Sequence, residues 1–450
     1  MTAGTNLLCV TALGVIALAV LIGRFKVQAF LALTVAAGLI GLGAGMSPPT
    51  LARAFCDGLG NVLGTVAPII GLGAMLGRLL GASGGAEAIA HALVRAFGPA
   101  RVPLALACAG FVVGVPVFFG VGLVLLLPVV FTLTRQTGAP LLGYALPLVA
   151  GLSVVHCLAP PHPGPMAAVE LLGANVGKTL WCALLVGLPT VLLTGPLLAP
   201  VLARRHAPAA SALAEQWSQS SPRSRGPGLA GALVTILLPV FLMLGATLAD
   251  VALAPGHPMR LAADFLGHPV VALLAAVLVA LWSLGARCGF DRRERSRLCE
   301  ECLGPVAAVI LVIGAGGGLS AVLVRGGVGA AMVTLVQGSG VSPLVLGWMC
   351  AALVRVATGS ATVAITTAAS LLAPVAAAAP AVDRELLVVA LGAGSAILSH
   401  VNDGGFWMVK EYLGLDLNQT LTTWTVIETA VALVALALVL VLNAAVGGLK

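Results

Sequence analysis

Charged residues are scarce in this 450-residue chain, 9% of it, against 60% hydrophobic. A soluble core cannot account for that balance, and no long polar segment remains to form a second, soluble domain. Aromatics are few, 4%. The N-terminus has no basic n-region and its apolar run is as long as a membrane span, so it is expected to be a retained helix and not a cleaved signal. Cys299-Glu-Glu-Cys302 has metal-like spacing, but no second Cys or His pair accompanies it, and a structural zinc site needs four ligands. No His-Glu-x-x-His, aspartate-rich cluster or Gly-x-Ser-x-Gly is present, which argues against a membrane-embedded enzyme. Few acids lie in apolar segments, which argues against an ion channel or a cation-coupled exchanger. No cofactor is implied.

What is present is a series of uncharged apolar runs along the whole chain, the pattern of a polytopic helical membrane protein. The abundance of Gly (56) and Pro (27) fits packed or broken membrane helices. The net charge of +7 sits mainly in two basic loops, so it sets orientation in the bilayer and not nucleic-acid binding. The sequence predicts an all-α protein of about 12 membrane segments, some of them broken or re-entrant. Residues 103–134 carry no charge, and Gly114, Pro116 and Gly120 interrupt them near the middle; two half-helices are expected there. Pro160-Pro-His-Pro-Gly-Pro165 holds four prolines in six residues and predicts a second break. The run 342–374 breaks at Thr358-Gly359-Ser360. The run 386–401 is too short, at 16 residues, for the roughly 20 that cross a bilayer core, and it runs into Ser399-His-Val-Asn-Asp-Gly-Gly405. Residues 47–60 are mixed in polarity and are expected at the interface.

The second half restates the first at an offset of about 243 residues. Gly71-Leu-Gly-Ala-Met-Leu matches Gly314-Ala-Gly-Gly-Gly-Leu, Cys56 matches Cys299, and His156 matches His400. The glycines Gly71, Gly73, Gly314 and Gly316 predict close helix packing. Loops rich in Lys and Arg stay cytoplasmic, and placing 204–225 and 287–297 inside makes the halves inverted. The expected division is a first repeat over 1–203, a basic cytoplasmic linker over 204–228 and a second, inverted repeat over 229–450. Paired discontinuous segments in an inverted repeat point to a secondary transporter.

Five motifs carry a resemblance over nearly the whole chain: Arg24-Phe-Lys26, Gly71-Leu-Gly-Ala-Met-Leu-Gly77, Pro160–Pro165, Leu353-Val-Arg-Val-Ala-Thr-Gly-Ser-Ala-Thr-Val363 and Ser399–Trp407. In these the chain resembles the gluconate permease family, gluconate–proton symporters and related sugar-acid carriers. The resemblance implies uptake of gluconate or another hydroxy-carboxylate with protons, across a bacterial inner membrane, by a multi-pass protein. It leaves open another small carboxylate or amino acid of the glycerate or D-serine type, and it is compatible with a homo-oligomer. Family members often carry an acid just after the aromatic pair that is Phe118-Phe119 here, where this chain has Gly120; Glu170, close after the proline break, is the candidate to take over its role.

Arg355 is the one charge of its run, and a planar guanidinium suits bidentate capture of a carboxylate, with a structural ion pair to Asp403 as the alternative. Thr358, Gly359, Ser360 and Thr362 offer hydroxyls and a half-helix N-terminus that favours an anion. His162 and Gly164 in the proline break and Asn402 complete the candidate substrate site. Asp403 is the leading candidate for the co-transported proton, with Glu170 and His400 beside it, although His156 and His400 as a repeat-related pair also fit the bracing of two breaks.

Overall fold

Every element among the described residues is helical, as the scarcity of charge demands: in hydrocarbon each backbone group needs an internal partner. The computed structural model describes residues 3–204, 226–328, 331, 333, 334, 340–378 and 382–447. The expected linker falls largely on 205–225, outside them. Helices α1 (Ala3–Gly23) and α2 (Ala29–Gly43) form a hairpin, followed by α3 (Pro48–Ala82), the short α4 (Gly85–Phe97) and α5 (Val102–Gly114). Then come α6 (Phe119–Thr137), α7 (Leu141–Leu158), α8 (Pro163–Leu172) and α9 (Val176–Leu192), which runs on through a wide π turn into α10 (Ala199–Ala203). Past the linker the chain forms α11 (Leu229–Ala252), α12 (Pro258–Gly267), α13 (Pro269–Ala280), the polar α14 (Arg292–Glu301) and α15 (Leu303–Arg325). The last five are α16 (Pro343–Thr358), α17 (Ala361–Ala378), α18 (Arg384–Ala396), α19 (Gly404–Leu413) and α20 (Leu417–Gly447).

Ten of the described helical segments are long and apolar enough to cross a membrane, or eleven if the pair of α4 and α5, bent by 115°, is one span. Helices α2 and α16 are apolar but, at 15 and 16 residues, shorter than a straight crossing. Their outward Leu, Val and Phe side chains, such as Leu185 on α9 and Phe241 on α11, are the surface that lipid solvates.

Two expectations are refined. Residues 48–60 are not a segment apart from the next apolar run; they are the opening turns of α3, one helix of 35 residues. Pro48 and Pro49 occupy its first positions, where a missing N–H costs nothing, and no breaker separates them from the apolar part. The proline break is also shorter than expected. Only residues 159–162 leave the helix, because Pro163 likewise fills a first helical position, in α8.

The predicted glycine packing is real but falls partly on other glycines. A Cβ on Gly317 would lie 2.5 Å from the Gly58 carbonyl, so α3 and α15 touch backbone to backbone, while Gly71 and Gly73 face nothing closer than 3.9 Å. Gly314 does pack, at 3.0 Å from Leu63, and Gly316 packs on Thr366. Gly151 lets α7 press on the α5 backbone, and Gly394 lets α18 press on the Trp348 carbonyl of α16. Ion pairs tie the two ends of the antiparallel α3–α15 pair: Asp57 to Arg325 at 2.8 Å, and Arg78 to Glu301, just before α15, at 2.9 Å.

Candidate functional site

Four interruptions of the helices meet at one cavity of about 1030 Å³. They are the gaps between α5 and α6, between α7 and α8, between α16 and α17, and between α18 and α19. Each exists for a local reason. Gly114 and Pro116 stop α5. The prolines stop α7. Gly359, at φ +74°, ends α16 in the left-handed region that favours glycine, and its N–H closes on the Arg355 carbonyl at 2.8 Å. Residues 397–403 leave the helix until Gly404 and Gly405 restart it with Asp403 as N-cap, its Oδ1 accepting from Gly405 N at 2.8 Å.

Arg355 is 4% exposed and lines the cavity. Its Nη2 meets Asp403 Oδ2 at 2.5 Å, and its Nη1 donates to the Gly359 carbonyl, also at 2.5 Å. Its Nε–H has no partner among the described residues. The guanidinium is thus oriented by two acceptors and keeps donors in hand, the condition for gripping a carboxylate. Ser360, at the head of α17, has its hydroxyl 3.3 Å from the Val363 N–H. The N-terminus of α6, starting at Phe119, has no side-chain cap. With α17, α19 and α8, it directs a helix N-terminus toward the same region, and such ends favour anions.

Thr358, Gly359, Ser360, Thr362 and Asn402, expected at a substrate site, and Asp403, expected to carry a proton, all line the cavity. Asn402 donates from Nδ2 to the Val356 carbonyl at 2.9 Å, and its buried Oδ1 has no partner among the described residues, an acceptor open to a hydroxyl. The other candidates lie elsewhere. His400 sits behind the lining, its Nε2 3.2 Å from that same Val356 carbonyl, so it braces the end of α16. Gly164 packs α8 on Ile365 of α17. Glu170 stands beside Thr65 of α3 and does not line the cavity. His162 is 2% exposed and donates Nε2–H to the Gly114 carbonyl at 2.7 Å. Its bare Nδ1 then accepts from His156 Nδ1–H at 3.3 Å, and it is His156 that lines the cavity. Gly120 also lines it, with Met408 close over its Cα.

The sequence reading missed several lining residues. Trp424 donates Nε1–H to Ser399 Oγ at 2.8 Å, and Ser399 in turn bonds Asp403 Oδ2. Glu428 of α20 is 2% exposed with Oε1 unpartnered. It is the one charge between 417 and 447, so the rule that singled out Arg355 would have found it. Arg78 borders the cavity from α3, and with Arg297 it holds the exposed Glu301 carboxyl below the usual carboxylate range by hydrogen bonding. Gly177-Lys178-Thr179 has the letters of a phosphate loop, but it opens a helix with Asn175 as N-cap and follows another helix, not a strand.

Comparison with known proteins agrees with this architecture. A gluconate permease of Pseudomonas aeruginosa is 47% identical over 95% of this chain and 96% of its own. The Gnt-II system L-idonate transporter of Escherichia coli is 40% identical over 97% of this chain and 99% of its own. Among solved structures, the YdaH transporter of Alcanivorax borkumensis superposes with a TM-score of 0.61 at 16% identity, covering 89% of this chain and 90% of that one, which speaks to fold alone. From residue 6 to residue 445 the sequence matches one family throughout, and the chain belongs to the GntP family of permeases.

Proposed function

We propose that the chain is a secondary active transporter that imports gluconate or a closely related sugar acid together with protons. The observation that carries it is Arg355, a buried guanidinium with an uncommitted N–H, in a cavity where four helix interruptions converge. The substrate carboxylate takes Arg355 and the head of α17. Its hydroxyls meet Thr358, Ser360, Thr362 and the open Oδ1 of Asn402. The kinship with a gluconate permease and an L-idonate transporter supports this choice of substrate.

Residues 1–203 and 229–450 act as two inverted repeats that expose this site to each side in turn. The recurrence of element lengths supports it. His162 holds the N-cap position of α8 without a side-chain bond, and Asp403 caps α19; both helices are 10 residues long and end in a left-handed glycine, Gly173 and Gly414.

Purified protein in lipid vesicles, given an inward proton gradient, should accumulate labelled gluconate. An uncoupler should abolish the accumulation, and L-idonate should compete better than glycerate or D-serine. Indifference to the uncoupler, or preference for D-serine, would remove the proton or the sugar-acid part respectively. Glu170→Gln should leave uptake within about twofold of native, because the residue lies off the cavity. A large loss of proton-driven uptake in that variant would return Glu170 to the mechanism.

A further inference from the structure

Two carboxyls border the cavity, Glu428 buried and Asp403 partly exposed, and they differ in what surrounds them. Asp403 meets donors on both oxygens. Its Oδ2 takes Arg355 Nη2 at 2.5 Å and the Ser399 hydroxyl, and its Oδ1 takes the Gly405 N–H at 2.8 Å. All three are donors, one from a guanidinium that stays charged at every working pH. A carboxylate so supplied with donors is well held as a charge.

Glu428 is the opposite case. It is 2% exposed at mid-length of α20, lines the same cavity, and has an Oε1 without any partner among the described residues. Ser153 of α7 hydrogen-bonds the carboxyl, Arg355 of α16, Asp403 at the head of α19 and Cys157 of α7 stand near it, and His156 of α7 lines the same cavity. A carboxylate with an unpartnered oxygen in such a place is costly, whereas the neutral acid is tolerated and brings a hydroxyl that can donate. One helical turn earlier, Trp424 bonds Ser399, the hydroxyl that also holds Asp403, so the face of α20 that carries Glu428 is wired to the ion pair.

We propose that Glu428, and not Asp403, carries the co-transported proton, while Asp403 remains ionised as the counter-ion that aims Arg355. The proposal rests on the sugar-acid reading above. Its consequence follows from counting charge. With Arg355, Asp403 and ionised Glu428 the empty site carries one net negative charge, which repels an anion. Protonating Glu428 brings the site to zero, a monoanion then enters, and the loaded site again carries one negative charge. Empty and loaded forms cross with equal charge, so one proton accompanies each monoanion and no net charge moves.

The test compares native protein, Glu428→Gln and Asp403→Asn in vesicles of phosphatidylethanolamine and phosphatidylglycerol, with labelled gluconate. Exchange of labelled for unlabelled gluconate needs no net proton movement, so exchange by the native protein checks the substrate reading separately. Glu428→Gln should still exchange, at a rate flat between about pH 5 and 8, while accumulation driven by a pH gradient falls at least about tenfold. Gradient-driven accumulation at the native level in Glu428→Gln would overturn the proposal. So would the exchange-only behaviour appearing in Asp403→Asn instead. The native protein supplies a readout that no folding defect can obscure. In weak buffer, gluconate binding should take up protons, a fraction per site that rises toward one as the pH is raised to about 9, and a potassium diffusion potential should leave uptake unchanged. Zero proton uptake at that alkaline end, or accumulation driven by the potential, would overturn it as well.

Discussion

Replacing Arg355 with Gln should lower gluconate uptake on the order of 100-fold, since a hydrogen bond to a charged group contributes roughly 1.5–3 kcal/mol and more than one is lost. The single variant also strips Asp403 of its counter-ion, and leaving a buried charge unpaired typically costs about 3–5 kcal/mol. A drop in uptake could then reflect damaged folding alone. The double variant Arg355→Gln/Asp403→Asn separates the two effects, because it removes both charges and leaves a neutral pair of similar shape. It should restore thermal stability and membrane yield while uptake stays low. Recovery of uptake in the double variant would show that Arg355 serves only the ion pair. Arg355→Lys sharpens the same point. It keeps the charge but loses the planar fork, so half-saturation should move to higher gluconate while stability changes little.

Gly359→Ala should be nearly as damaging, although it adds one methyl group and touches no charge. The residue sits at φ +74°, where an L side chain costs roughly 1–2 kcal/mol. A Cβ there would also run into the backbone of Asn402, which cannot swing aside as a side-chain tip can. The segment 397–403 must therefore shift, and it carries Asn402, Ser399 and Asp403. Displacements near 1 Å at a binding constellation commonly cost about 100-fold. Uptake should fall by that order, with the melting temperature of the purified protein lowered by several degrees. Native uptake in Gly359→Ala would mean that the contact between α16 and the 397–403 segment does not position the site.

How much of this was legible beforehand depends on the physics behind each element. The broken helices were readable because Gly, Pro and missing length are local signals: Gly359 and the 16-residue run ending at Val401 both marked interruptions that exist. Arg355 was readable because a lone charge in an apolar run needs a partner or a task. Glu428 carries the same signal in α20, but that helix is unbroken, so no local interruption points to it. Which histidine lines the cavity was not legible. His156 and His162 are six residues apart, and only the tertiary contact of His162 with the Gly114 carbonyl turns one inward as a brace. The continuity of α3 was hidden for a similar reason. Arg53 and Asp57 suggested a surface segment, yet Asp57 meets Arg325, 268 positions away, at the far end of α15.

That last pairing has a bearing on how the protein sits in its lipid. Along α3, Asp57 and Arg78 stand about 32 Å apart at 1.5 Å per residue, close to the thickness of a bilayer's hydrocarbon layer, about 30 Å. Each binds a partner at one end of the α15 rod, Arg325 and Glu301. The two helices, pressed together at Gly58 and Gly317, thus form a strut of fixed length with a polar clasp at either headgroup level. A strut of this kind acts as a depth gauge. It registers one wall of the protein against both faces of the bilayer, so that other helices can shift while the cavity keeps its height.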